Sequence, residues 1–129
     1  MYYPKKNEFI KLAKKGSLIP VFREIIADTE TPVSAYSKIA GTNSFLLESV
    51  EGGEKWARYC FLGCDPSTVI VIKSNSVTIK SCGAEKTESA EDPLLFMKKY
   101  LSRYRPVVAD DLPRFTGGAV GFFSYDMVR

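Results

Sequence analysis

The sequence predicts an α+β fold, an antiparallel β-sheet or sandwich with flanking helices, from two observations. Apolar residues recur with helical spacing in three segments, and between the second and third segments this spacing falls to about two residues. The segments of shorter spacing are joined by brief stretches of Gly, Asn and Ser, which favour hairpins. A parallel sheet would need a long crossover between successive strands. We therefore expect hairpins and helices that are segregated along the chain.

The first predicted helix lies near the N-terminus and is amphipathic. Phe9, Leu12 and Ala13 follow the i, i+3, i+4 spacing of an inner face. Gly16 ends the helix as a C′ residue that is free to adopt a positive φ. The lysines fall on the outer face: Lys5, Lys6, Lys11, Lys14 and Lys15. Because no exposed aromatic residues are interleaved with them, we interpret them as a solvated face and predict no nucleic-acid partner.

Two further helices are predicted from an N-cap residue followed by proline at the first helical position. Thr31 and Pro32 begin the second helix, which runs to Gly41. Asp92 and Pro93 begin the third, and Pro106 helps to end it. The apolar residues of these helices are Val33, Tyr36 and Ile39 in the second and Leu94, Leu95, Met97, Tyr100, Leu101 and Tyr104 in the third.

Six strands are predicted between and beyond these helices. Residues 18–26, with Pro20 at an edge or a strand start, form the first candidate. SFLLESV and ARYCFLG flank EGGEKW and indicate a hairpin with a Gly-Gly tip, while TVIVIK and VTIK flank SNS and indicate a second hairpin. Residues 115–125 form the last candidate, and residues 80–92 are expected to be a mobile loop.

Length and composition indicate an ordinary globular protein. The 129 residues fit one domain, with 45% apolar and 26% charged residues. No apolar run approaches the roughly 20 residues that span a bilayer, and charges interrupt the N-terminal segment too often for a signal peptide. Three cysteines fit a reducing compartment. We therefore predict a cytoplasmic location and no membrane partner.

The residues that usually carry chemistry are scarce. The chain has no histidine, which removes the commonest general base and the usual zinc site built from Cys and His. Cys60 and Cys64 have no second pair, so we interpret them as small structural thiols. Gly117–Gly121 is followed by Phe122 rather than by the lysine and hydroxyl of a phosphate loop. These features predict neither catalytic nor metal-binding residues.

The stretch LLESVE, at residues 46–51, is the strongest candidate for a binding segment. Alternation along a strand places Glu48 and Ser49 on opposite faces, so one polar residue points inward whichever face is buried. Composition alone favours an exposed edge. The alternative is that the hydroxyl or the local backbone forms a fixed hydrogen bond with a small charged ligand.

Three stretches of the chain closely resemble, in order and spacing, the N-terminal part of the large subunit of anthranilate synthase, component I of tryptophan biosynthesis. They are GSLIPVFREIIADTETPVSAYSKIAG, SFLLESVEGGEKWARYCFLGCDP and LPRFTGGAVGFFSYDMVR. The resemblance extends from about Phe9 to Arg129. One departure is Cys60, where the family more often has serine.

The resemblance implies a function and a set of site residues. Members of the family convert chorismate to anthranilate with Mg²⁺ and with ammonia from a glutamine amidotransferase subunit, component II. Their chorismate and Mg²⁺ residues lie in the C-terminal part, so the resemblance implies that this chain alone is inactive and holds no cofactor. Tryptophan inhibits the family by binding away from the active site. The family's tryptophan-binding LLES motif matches Leu46, Leu47, Glu48 and Ser49, and Lys55 and Arg58 are further candidates.

The same resemblance implies that the chain is a truncated N-terminal part of a larger α+β domain, a regulatory region without its catalytic partner. Its last predicted strand would then lack neighbours, and we expect self-association through it. Two alternatives remain open at this stage. One is the N-terminal region of aminodeoxychorismate synthase component I, and the other is a free-standing, non-catalytic binding module.

Overall fold

A computed structural model of the chain describes residues 1–48, 59–108, 112–113 and 115–125. The described residues contain three helices and two antiparallel sheets, which confirms the α+β class. The chain divides into two compact units. One comprises Met1–Ile26 and Asp92–Arg129, and the other comprises Ala27–Glu91.

The Ala27–Glu91 unit begins with a helix that lies against a two-stranded sheet. Helix α2 (Pro32–Ile39) begins as predicted, because the Thr31 side chain accepts a hydrogen bond from the backbone N–H of Ser34 in a capping box. The sheet pairs β1 (Phe45–Leu47) with β2 (Phe61–Gly63), and α2 packs against both strands. The first predicted hairpin is confirmed, although its tip at residues 49–58 lies outside the described residues.

The same unit contains a three-stranded meander of β3 (Thr68–Lys73), β4 (Ser76–Ser81) and β5 (Ala84–Ser89). The pairing of β3 with β4 confirms the second predicted hairpin. Opposed residues of antiparallel strands share a face, so Ile72 and Val77 lie on one face. Val77 is the one apolar side chain, among the residues described, that is fully buried.

Strand β5 corrects the prediction that residues 80–92 form a mobile loop. Its six residues pair in register with β4, from Ser81↔Ala84 to Ser76↔Ser89. Both central residues of the connecting turn have positive φ, 51° at Cys82 and 78° at Gly83, as in the type I′ turns that suit hairpins. Because β5 has no large apolar side chain, its side-chain contacts with β4 are polar. The hydroxyls of Thr78 and Thr87 lie 3.2 Å apart, and Lys80 Nζ lies 3.1 Å from Glu85 Oε2.

The other unit contains α1 (Lys6–Leu12) and α3 (Pro93–Leu101). Helix α3 begins as predicted, with Asp92 Oδ1 accepting a hydrogen bond from the backbone N–H of Leu95 at 2.8 Å. It ends at Leu101, one turn before Tyr104, which the sequence had placed inside it. The chain after α1 pairs with the chain after α3, because the backbone N–H of Val107 donates to Leu18 O at 2.9 Å.

Gly16 lies at this pairing for a reason other than the predicted one. Its φ is not positive, so it does not end α1 by adopting a left-handed conformation. A Cβ at this position would instead collide with the carbonyl oxygen of Arg105 and would stand 2.7 Å from Val107 Cγ2. The glycine is therefore required by the close approach of another backbone.

Two predicted strands of this unit are absent from the described residues. Residues 18–26 form only isolated bridges, at Leu18 and Phe22, because their partners lie in two different parts of the chain. Among the described residues of the segment 115–125 there is no strand. Its glycines explain why, since Gly117 and Gly118 have φ values of 147° and 132°, which strand residues do not adopt.

Candidate functional site

The predicted tryptophan-binding residues lie at and after the end of β1. Leu47 is the last residue of the strand, pairs with Phe61 of β2 and is 47% exposed. Glu48 follows directly and is exposed. The other three candidates, Ser49, Lys55 and Arg58, lie outside the described residues. The structure therefore gives the position of one end of the candidate site.

The beginning of β1 is held by the hydroxyl of Ser44, which the sequence reasoning did not single out. Ser44 Oγ donates to Gly41 O at 2.8 Å and accepts from the backbone N–H of Gly41 at 3.2 Å. It also lies 2.9 Å from the hydroxyl oxygen of Tyr36 on α2. A hydroxyl has one proton, so with that proton on Gly41 O the Tyr36 hydroxyl is the donor to Ser44. The signal in the sequence was the Gly-Thr-Asn-Ser turn that follows the helix.

Two more features constrain the start of β1. The turn before β1 is tight, since Asn43 has a φ of 59°. The ring of Phe45 covers Gly63 on the neighbouring strand, where ring atoms lie 2.5 and 2.8 Å from the place that a Cβ would take. Only glycine fits under this ring without a shift. The strand that contains Leu46 and Leu47 is thus constrained by the turn before it and by the packing of Phe45 against β2.

A polar network connects Glu30, just before α2, with residues at both ends of the helix. Ser34 Oγ donates to Glu30 Oε2 at 2.7 Å, and Lys38 Nζ donates to the other carboxylate oxygen of Glu30. The hydrogen bond from Lys38 and the weaker one from Ser34 lower the pKa of Glu30 below its ordinary value. This network links Glu30, which precedes the N-cap, to two residues of the helix that carries Tyr36.

Two further groups of polar side chains occur among the described residues. A shallow depression of about 480 Å³ lies at one end of the meander and is lined by Lys73, Ser74, Asn75, Ser76, Thr87, Glu88 and Ser89. On α3, Phe96 stacks on Tyr100, and the Arg103 guanidinium carbon lies 4.8 Å from the centre of the Tyr100 ring. A hydrogen bond with Tyr100 raises the pKa of Tyr104. The sequence reasoning missed these groups as well, because none of them forms a recognised motif.

The thiols and carboxylates offer no metal centre in the described part of the chain. Cys60, Cys64 and Cys82 are free thiols, and no group of three or more His, Cys, Asp or Glu side chains there is placed to hold a metal ion. Residues 1–48, 59–108, 112–113 and 115–125 contain no helix long and apolar enough to cross a membrane.

Curated relatives match almost the whole chain. Anthranilate synthase component 1 of Pseudomonas putida is 45% identical over 127 residues, which cover 96% of this chain and 26% of the relative. The protein of the same name from Acetivibrio thermocellus is 40% identical over 130 residues, covering 100% of this chain and 26% of the relative. The chain is homologous to anthranilate synthase component 1. The resemblance inferred from the three sequence stretches is thereby confirmed.

The homology to anthranilate synthase component 1 is limited to one region. The chain spans about a quarter of the length of these relatives and matches their N-terminal region. A plant protein matches as well. Anthranilate synthase alpha subunit 2, chloroplastic, of Arabidopsis thaliana is 39% identical over 134 residues, which cover 95% of this chain and 22% of the relative. No family profile and no solved structure matches the chain.

Proposed function

We propose that this chain is the N-terminal regulatory region of an anthranilate synthase large subunit and forms part of the site for the feedback inhibitor L-tryptophan. The whole enzyme would convert chorismate to anthranilate. The observation that carries the proposal is the match of 95–100% of the chain to proteins named anthranilate synthase component 1 or alpha subunit. Such an enzyme would reside in the cytoplasm, a reducing compartment that suits the three cysteines of this chain.

The chemistry of β1 and the residues after it suits an aromatic amino acid. The exposed Leu47 side chain can pack against an indole ring, and the exposed Glu48 carboxylate can pair with an α-ammonium group. The Ser49 hydroxyl would add a hydrogen bond, while Lys55 and Arg58 would bind the α-carboxylate. These five side chains together would satisfy both charges of the ligand and its apolar ring.

Catalysis belongs to the rest of the enzyme in this proposal. The described residues do not fit the Mg²⁺ that the family uses, since they offer no cluster of carboxylate ligands. The name component 1 is that of one subunit of a complex. The glutamine amidotransferase subunit would supply ammonia to the part of the large subunit that holds chorismate.

The proposal is tested by assaying chorismate conversion through the fluorescence of anthranilate. We expect no anthranilate from the pure chain with chorismate, Mg²⁺ and ammonia. A full-length large subunit that carries this chain should form anthranilate, and L-tryptophan should inhibit it. Anthranilate made by the pure chain would contradict the division of roles. If L-tryptophan does not inhibit the full-length enzyme, the proposed regulatory role of this chain is wrong.

A further inference from the structure

The hydroxyl of Ser44 joins the helix, the turn and the strand of the two-stranded sheet. It bonds to both backbone groups of Gly41 and to Tyr36 Oη, and its residue directly precedes β1. Ser44 and Tyr36 are both half-buried, so water competes less for this bond than for an exposed one. The bond is the one side-chain hydrogen bond between α2 and the chain that leads into β1 among the described residues.

Strand β1 needs such a connection because it is short. It has three residues, and in the described part of the chain its ladder is the pairing with β2 alone. An isolated two-stranded hairpin is marginally stable in water. The orientation of Leu47 and Glu48, which end the strand, therefore depends on what holds its beginning against α2.

We propose that the hydrogen bond between Tyr36 and Ser44 is a positioning device for the effector site, setting how tightly Leu47 and Glu48 at the end of β1 bind an aromatic amino acid. Tyr36 and Ser44 touch no ligand in this proposal and act through β1. The inference rests on the proposed tryptophan site. It predicts that loss of one phenolic hydroxyl on a helix alters feedback inhibition.

The contrasting possibility is that this bond only closes a loop. Tyr36→Phe removes the hydroxyl and keeps the ring, so it tests the bond with little change in packing. Ser44→Ala removes all three bonds of the hydroxyl, and Ser44→Thr keeps a hydroxyl at the same place. The matched control is Thr87→Val, which removes an exposed hydroxyl contact of 3.2 Å to Thr78 in the meander of the same unit.

The first experiment measures amide hydrogen exchange in this chain. A net hydrogen bond contributes enough that its loss should speed exchange of the β1 and β2 amides about 2- to 10-fold in Tyr36→Phe. The amides of β3 and β4 should keep their rates. The Thr87→Val variant should show the reverse pattern, with faster exchange in β4 and β5 alone. Unchanged β1 exchange in Tyr36→Phe would overturn the positioning role.

The second experiment measures tryptophan inhibition in the full-length large subunit with the same variants. Tyr36→Phe and Ser44→Ala should raise the tryptophan concentration for half inhibition about 2- to 10-fold, and Ser44→Thr should restore most of the loss. Inhibition should stay at the wild-type level in Thr87→Val. If Ser49→Ala weakens inhibition and Tyr36→Phe does not, the inference fails while the proposed function stands. If neither variant alters inhibition, the tryptophan site itself is wrong.

Discussion

Ser49 is the residue on which the proposed inhibitor site depends most directly. In the full-length enzyme, Ser49→Ala should raise the tryptophan concentration for half inhibition about 10- to 150-fold, because a hydrogen bond to a charged group contributes about 1.5 to 3 kcal/mol. Inhibition curves at fixed chorismate concentration measure the shift. Since effector and substrate sites would be linked only by a coupling free energy, this shift should exceed any change in kcat.

The control for that measurement is Ser89→Ala, which removes an exposed hydroxyl from β5. It should leave the inhibition curve in place. A Ser49→Ala enzyme with the same curve as Ser89→Ala would take Ser49 out of the site.

Gly16 and Gly41 allow a residue-scale test of packing. Gly16→Ala forces a Cβ against the carbonyl of Arg105 and against Val107, so we expect the free energy of unfolding to fall by roughly 1 to 3 kcal/mol. Gly41→Ala meets no atom within 4 Å and needs no positive φ, so it should be neutral or slightly stabilising. Urea unfolding followed by circular dichroism compares the two. Equal midpoints would show that the two chain segments do not pack as closely as described.

At the scale of single elements, local capping signals were the most predictive part of the sequence. Thr31-Pro32 and Asp92-Pro93 each begin a helix as expected, because the cap and the proline act within one turn of the chain. Strand β5 escaped prediction because its sequence, AEKTES, has no large apolar residue to show a period of two. Its pairing comes from the turn at Cys82 and from polar cross-strand contacts, which a hydropathy pattern cannot reveal.

The turn between β4 and β5 can be tested by a change of backbone preference. Gly83 has a φ of 78° with no atom within 4 Å of an added Cβ, so Gly83→Ala should cost about 1 to 2 kcal/mol of stability from backbone strain alone. Cys82→Asn should be tolerated, since Asn readily adopts the left-handed conformation that Cys82 has. Thermal unfolding measures both. A Gly83→Ala chain as stable as the wild type would contradict the turn.

The stability of helix α2 should depend on pH through the ionisation of Glu30. The pKa of this carboxyl is lowered in the folded chain, chiefly by its hydrogen bond to Lys38, so its contribution to stability is present above the unfolded value of about 4.5. That contribution is lost as pH falls from there through the lower folded value. NMR titration of the Glu30 carboxyl measures the shift directly. In Glu30→Gln, stability should fall less as pH is lowered. Glu24→Gln, which alters a carboxylate outside the helices and strands, should show the same loss of stability at low pH as the wild type.

At the scale of the whole molecule, the sequence predicted the α+β class and the family but not which distant segments of the chain pair. Residues 1–26 form a compact unit with residues 92–129 rather than with the segment that follows them. The contacts that join them are backbone pairings such as Leu18 with Pro106, separated by many residues along the chain. Periodicity within a short window carries no information about such pairings. The same limit hid the hydrogen bond between Tyr36 and Ser44, since it forms only where a helix and the chain leading into a strand meet in space.

The meander has a consequence for the order in which the chain folds. Its pairings are local: the most distant partners in β3–β4 are Thr68 and Ser81, and those in β4–β5 are Ser76 and Ser89. Pairing Leu18 with Pro106 closes a much longer loop. The chain entropy lost in closing it is larger and must be lost before the contacts form that compensate for it. We therefore expect the meander to be protected first during refolding, and the pairing of the N-terminal segment with the chain after α3 to be protected last. Pulse-labelled amide exchange would reveal this order, and simultaneous protection of both would argue against it.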